Sequence, residues 1–327
     1  MLKRRAVFDI GTVTTRMMVA DCELEDSDSE SPRTLSVHEV YRATEITELG
    51  EGILGTGRLK PEAIGRVASA IDGFSTELAE LGLDLSGNDI DDSSVVAIAT
   101  SAARDASNSQ DLVDELRKRN IPLAVISGDK EAAYGFIGAA SDFKGCGILV
   151  SDIGGGSTEL TLGDAPEDGE PMIRLSHSFD VGCRRVTDMF LESDPPLDAE
   201  VEAARIWIEG QLSPFFGGGI EVGELIGVAG TVTSLVSMRE AMEVYDPSRV
   251  HGSVVGISDV DDALEHLSSI PLDERRQVVG LEPKRAPVIV SGMLILQVLM
   301  RLAGADELVV SESDNLKGLM LDWPYAV

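Results

Sequence analysis

Asp152 stands at the end of an apolar run, three glycines follow it, and Ser157, Thr158 and Glu159 come next, in the stretch SDIGGGSTEL. These residue types in this order have the parts to hold a phosphate group together with a divalent cation. Successive glycines let backbone N–H groups approach phosphate oxygens, and hydroxyls add donors. The carboxylates of Asp152 and Glu159 offer hard oxygen ligands to Mg²⁺, an ion bound through carboxylates, waters and substrate phosphates. The competing reading is a glycine-rich turn with no ligand. A partial second copy weighs against it. VFDIGTVTT, beginning at residue 7, repeats the order of VSDIGGGST, beginning at residue 150: an apolar run, Asp-Ile-Gly, then a hydroxyl-rich turn. A third glycine element, ELIGVAGTVTSLVSM, reads as strand, turn and helix, and sets Gly230 and Thr231 near a helix N-terminus suited to an anion or nucleotide.

Elements that could position these turns follow from periodicity. RAVFDIG and TRMMVADCEL read as a hairpin, with LSVHEVYRATEI as a third strand beyond the acidic run EDSDSESPR, a solvated loop tip. KPEAIGRVASAIDGFSTELAELG has apolar residues at helical spacing, SVVAIATSA is a buried strand, SQDLVDELRKRN a helix, and IPLAVI a closing strand. GDKEAAYGFIGAAS then opens the second half as a helix. GILVSDIGGGSTELTLGD and PMIRLSHSFDVG restart the pattern of strand, glycine turn, strand, turn and strand. The repeat predicts two similar α/β domains, with one glycine turn from each pointing into a shared cleft.

Composition narrows the chemistry. A chain of 327 residues with 43% hydrophobic residues is expected to be a soluble protein with two cores. The 57 acidic residues against 27 basic ones, a formal net charge of −30, repel nucleic acid and acidic membranes, so neither is an expected partner. An anionic substrate must then be met by local basic residues, backbone donors or a cation. Cys22, Cys146 and Cys183 are too few and scattered for a disulfide framework or zinc site. Asp9 interrupts the apolar part of the N-terminus, no stretch approaches a membrane span, and a cytoplasmic location is expected. His38, His177, His251 and His266 show no ligand spacing, and GEGILG, beginning at residue 50, opens no clear helix and is a poor dinucleotide site.

FDIGTVTTRMMV, ELGEGI, AIATSAARDASN, VISGDKEAAYGFIGA, DIGGGSTEL, SFDVGCRRVTDMF, GVAGTVTSL, RVHG, ERRQVVGLEPKRAPVIVSGMLIL and ELVVSESDNLKGLM run in order along almost the whole chain. In these pieces the chain resembles the exopolyphosphatase and guanosine pentaphosphate phosphohydrolase family of the actin, hexokinase and heat-shock-chaperone ATPase superfamily. The resemblance implies two ribonuclease-H-like α/β domains around a central cleft. We place them at residues 1–126 and 127–312, with a C-terminal helix at about 313–327 packing back on the first. It departs from the family pattern at Thr12 and Val13, where Ser-Asn is usual, and at Lys130 and Lys317.

What the resemblance implies for activity is hydrolysis of a terminal phosphoanhydride by an activated water. Glu131 matches the catalytic glutamate. Asp152 and Glu159 take Mg²⁺ or Mn²⁺ and its waters, with Asp9 as the first-domain counterpart. Thr12, Thr14, Gly154, Gly155, Gly156, Ser157 and Thr158 supply phosphate contacts, and Arg16 and Arg104 neutralise the phosphate chain. The plainer reading of each arginine is a salt bridge, and that of Glu131 an exposed helix residue. The expected substrate is inorganic polyphosphate or guanosine pentaphosphate. A sugar or acetate kinase of the same superfamily and a non-catalytic alarmone-binding sensor, kept open by Val13, are the alternatives. Family habit also implies a homodimer.

The chain resembles the short, two-domain form of the family, without the further C-terminal domains that could extend a basic track along a polymer. Low processivity is therefore expected, because the strongly negative surface repels a long polyanion. Gels of partial digests should show a ladder that shortens evenly; long chains vanishing without intermediate lengths would show tracking instead.

Overall fold

The computed structural model describes residues 1–25, 33–83, 85 and 94–323. Most of the acidic run EDSDSESPR lies outside them. Two compact units divide the chain: residues 1–138 with 315–327, and residues 139–314.

The first unit is built on a five-stranded sheet. Its strands are β1 (Leu2–Ile10), β2 (Thr14–Leu24), β3 (Thr34–Ile46), β4 (Val95–Ala99) and β5 (Leu123–Val125), in the order β3-β2-β1-β4-β5. The first three form an antiparallel meander, and β4 and β5 run parallel to β1. Because strand side chains alternate between faces, β1 divides its residues cleanly. Ala6, Phe8 and Ile10 join a core with Ile64, Val67, Ile71, Phe74 and Leu78 of the helix Pro61–Glu80. Val7 faces the other way, into a core with Met18, Tyr134, Leu316, Leu319 and Met320. Asp9 shares the face of Val7, and so lies on the side covered by the helices Gly128–Ala140 and Asn315–Leu321.

That packing explains where the units part. Sequence periodicity alone sets the boundary at 126 and assigns the helix GDKEAAYGFIGAA to the second half. Tyr134, buried against the first sheet, keeps the helix with the first unit through Gly138. The helix Asn315–Leu321 approaches the same helix very closely. A Cβ on Gly318 would sit 1.9 Å from the carbonyl oxygen of Tyr134.

The second unit repeats the scheme with one added strand. Its strands are β6 (Gly145–Ile153), β7 (Thr158–Ala165), β8 (Met172–Phe179), β9 (Glu224–Val228), β10 (Val254–Gly256) and β11 (Glu307–Val310), ordered β10-β11-β9-β6-β7-β8. β6, β7 and β8 form the antiparallel meander, and β9 and β11 continue the sheet in parallel. The helix Ile289–Ala303 is apolar around nearly its whole circumference and is buried accordingly, in one core with Leu149, Ile153, Leu160 and Leu162 of the meander. No helix among the described residues is long and apolar enough to cross a membrane.

Gly318→Ala tests the close helix approach. Forcing a methyl group against a backbone carbonyl costs about 1–3 kcal/mol. The thermal midpoint should therefore fall by roughly 5 °C, and an unchanged midpoint would show that the helix is free to shift.

Candidate active site

In each unit the chemistry-bearing residues gather where two adjacent parallel strands end. Such strand ends are where open α/β sheets bind ligands. In the first unit Ile10 of β1 is in register with Ala99 of β4, and the N–H of Thr100 donates to the carbonyl of Ile10 at 3.2 Å. The turn Gly11–Val13 and the segment Thr100–Arg104 therefore start side by side. In the second unit Asp152 of β6 is in register with Val228 of β9, which sets the turn Gly154–Ser157 beside Ala229–Thr231.

Glu131 is buried, in the first turn of the helix Gly128–Ala140. Arg104 donates from Nη1 to its Oε2 at 2.6 Å and also to the carbonyl of Ile126 at 3.3 Å. Burial pushes the Glu131 carboxyl up to about 7, and the nearby Asp9 adds to the rise. The Arg104 guanidinium, with hydrogen bonds from Arg104 and Thr100, pulls the other way. The plainer alternative, an exposed helix glutamate, is thus not what is found: Glu131 is buried, and its carboxyl is poised to gain and lose a proton near neutrality.

Asp9 and Arg16 sit directly opposite each other in the β1–β2 ladder, which brings the Arg16 guanidinium onto the Asp9 carboxylate. Both candidate phosphate-binding arginines are therefore ion-paired, each with a carboxylate that sequence analysis also placed in the site. Thr12 is buried in the turn after β1, and its hydroxyl has no hydrogen-bond partner. Thr14 begins β2 half-buried, its carbonyl accepting from the N–H of Gly11. Val13 is buried, and its carbonyl accepts from the N–H groups of Thr47 and Glu48, so ELGEGI acts as a clamp on this turn.

In the second unit the ladder places Asp152 directly opposite Glu159, and both are buried. Ser178 Oγ donates to Glu159 at 2.6 Å. Like charges directly opposite on one face destabilise a sheet. A cation between two such carboxylates relieves that repulsion, and the pair suits Mg²⁺, which keeps several waters and needs no all-protein cage. Among the described residues no three His, Cys, Asp or Glu side chains are gathered for a metal ion. The donor set is thus a carboxylate pair, and it fits a hydrated divalent ion.

The glycine turn takes part in a close backbone approach that its local sequence does not signal. A Cβ at Gly182 would meet the backbone of Gly155 and Gly156 at 2.4 Å, so this turn packs against the chain's own backbone. Arg184 and Arg185 donate their N–H groups to the Gly155 carbonyl, and Arg185 Nε donates to the Gly156 carbonyl. Gly154 and Gly155 keep their other side half-exposed, while Gly156 and Ser157 are buried. Thr158 is buried and donates its hydroxyl to the Val181 carbonyl at 2.5 Å, a bond that a phosphate contact from this hydroxyl would have to break.

Gly230 and Thr231 open the helix Ala229–Arg239, after Ala229 in a left-handed conformation. The Arg285 guanidinium lies over Gly230, 1.6 Å from where a Cβ would stand. Arg285 was missed in sequence because it is far from Gly230 along the chain. Thr100 and Ser101 belong to the same motif as Arg104, and Thr100 hydrogen-bonds Glu131.

Comparison with known proteins bears on this arrangement. Residues 29–324 match the Ppx/GppA phosphatase family. The chain is 35% identical over 335 residues to exopolyphosphatase 2 of Mycobacterium tuberculosis, covering 98% of each. It is 34% identical over 326 residues to the bifunctional 3-dehydroquinate synthase/phosphatase of Fusobacterium nucleatum, covering 97% of this chain and 46% of that protein, so it spans about half the length of that relative. The crystal structure of the Aquifex aeolicus Ppx/GppA family member superposes with a TM-score of 0.76 at 26% identity, covering 98% of this chain and 97% of that one. With the family match covering residues 29–324, from β3 of the first sheet through the whole second unit, the chain belongs to the Ppx/GppA phosphatase family.

Proposed function

We propose that the protein is an exopolyphosphatase acting in the cytoplasm, which hydrolyses the terminal phosphoanhydride of inorganic polyphosphate and releases orthophosphate. The observation that carries this reading is Glu131, a buried carboxyl raised to about 7 and held by Arg104 beside the turn that bears Thr12. Its similarity to exopolyphosphatase 2 supports the substrate class.

Glu131 acts as the general base. It accepts a proton from a water whose oxygen bonds to the terminal phosphorus, while the bridging P–O bond breaks and the shortened chain leaves with the bond's electrons. Thr12 and Thr14 orient phosphate oxygens, and Arg16 and Arg104 neutralise their charge. Asp152 and Glu159 of the second unit would hold Mg²⁺ or Mn²⁺ with its waters, and the ion would supply neutralisation of phosphate charge. Each arginine begins paired with a carboxylate, so phosphate oxygens compete for a guanidinium already in place. When Arg104 turns from Glu131 toward a phosphate oxygen, it withdraws the influence that holds the carboxyl down. Arrival of substrate then makes Glu131 a stronger base.

Guanosine pentaphosphate ends in the same kind of bond and is the second substrate to compare. Orthophosphate release from long polyphosphate, guanosine pentaphosphate and ATP, side by side with Mg²⁺, should be fastest from polyphosphate and should stop in excess chelator. Faster release from guanosine pentaphosphate would reassign the substrate, and full activity in chelator would remove the metal assignment.

Glu131→Gln should lower turnover by about 10²–10⁴-fold, the usual worth of a positioned base. In the wild type kcat/KM should fall tenfold per unit as pH drops below about 7, where the carboxyl takes up its proton, and the variant should lose that limb. Stability should move the opposite way. The folded pKa lies above the unfolded one, so the native state binds the extra proton between them and wild-type stability falls as pH rises through this window. Glu131→Gln should therefore melt higher than wild type at pH 8, with the difference closing towards pH 5. A variant that melts lower at pH 8 would show that the carboxylate is a net stabilising partner of Arg104.

A further inference from the structure

Among the described residues, two buried hydroxyls lack a hydrogen-bond partner, those of Thr12 and Ser101. Thr12 is 5% exposed and Ser101 2%. They are far apart in sequence, yet each follows the end of one of two adjacent parallel strands, β1 and β4, whose last residues are in register. The N–H of Thr100, next to Ser101, is bonded to the last residue of β1. Other polar residues near Ser101 are satisfied. Ser107 Oγ donates to the Gly57 carbonyl, and buried Asn108 accepts from the N–H of Leu59 and donates to Asp111. A buried hydroxyl without a partner costs free energy, and native proteins retain few of them, commonly where a ligand or water completes the bond. Thr12 already has an expected partner in a phosphate oxygen; Ser101 shares its circumstances.

Resting on the phosphatase reading of this site, we infer that Ser101 is a further phosphate-binding residue, whose hydroxyl donates to an oxygen of the same terminal phosphoryl group that Thr12 contacts. A phosphate oxygen is the acceptor a hydroxyl lacks here, and it arrives next to two arginines. Arg104, which follows Ser101 by one helical turn, keeps its guanidinium on Glu131. The segment Thr100–Arg104 thus delivers three functions at one strand end: Thr100 bonds the base, Arg104 charges the site, and Ser101 fixes the phosphate.

A structural serine and a ligand-binding serine respond to alanine with different signs. Ser101→Ala removes a hydroxyl that has no bond in the free protein, so its thermal midpoint should equal or exceed that of wild type. The orthophosphate concentration giving half-maximal thermal protection should rise roughly tenfold, the loss expected for one hydrogen bond to a charged oxygen. KM for tripolyphosphate should rise with it. Ser107→Ala, in the same motif but bonded to Gly57, should leave phosphate protection unchanged. A lowered midpoint or misfolding of Ser101→Ala would reveal an internal bond and overturn the inference, as would unchanged phosphate protection. The two readings fail separately. Wild-type protein that cleaves no phosphoanhydride but loses phosphate binding with Ser101→Ala overturns the activity alone. Active protein whose Ser101→Ala variant binds phosphate normally overturns only the role of Ser101.

Discussion

A carboxyl group taken out of water beside a guanidinium is the constraint on which the first unit is organised. Left alone, Glu131 would stay protonated well above the ordinary range of a glutamic acid, because desolvation penalises its charge. Arg104 offsets part of that penalty without abolishing it. Holding the pair in place requires the helix Gly128–Ala140 to lie down on the face of β1 that carries Asp9. Tyr134 anchors that helix in the core, and Gly318 lets a second helix close over it. The packing of the unit and the acidity of its central group are thus one problem with one solution.

The same pairing resolves an apparent conflict in the charge of the chain. A protein with a formal net charge of −30 repels a polyanion at long range. In the reading proposed here, substrate capture depends on short-range exchange. Arg16 and Arg104 are held at the strand ends by Asp9 and Glu131, so their side-chain entropy is already lost before phosphate arrives. A site arranged in this way selects a ligand able to displace carboxylates from guanidinium groups, which a chain of phosphates does better than a single weak anion.

How much of this was readable in sequence follows from the range of the interactions involved. The meanders and the repeat around Asp-Ile-Gly were legible because alternation and glycine turns are local. The twin strand-end turns follow directly from them. The fate of GDKEAAYGFIGAA was not, since its allegiance is decided by Tyr134 meeting residues near the C-terminus. The pairing of Arg16 with Asp9 could have been found from the hairpin register alone, because a tight turn between Ile10 and Thr14 sets residues 9 and 16 opposite each other. That of Arg104 with Glu131 could not, because it joins a strand end to a helix across a chain reversal. Gly182 and Arg285 lie in stretches that carry the family resemblance, but neither shows locally what it meets; their importance lies in what another segment leaves room for.

The two units use one backbone plan for opposite electrostatic ends. In each, an aspartate stands just before the end of the first meander strand, and the residue directly opposite it is fixed by the hairpin. In the first unit that residue is Arg16, and the pair is neutral. In the second it is Glu159, and the pair is doubly acidic when ionised. Cross-strand partners share a face at short separation, so a single exchange of side chain changes what the strand end attracts without moving any backbone. In the proposed function the arginine would meet phosphate oxygens directly, and the glutamate would help to hold a cation. The two strand ends thus share one backbone plan and differ in charge at a single register position.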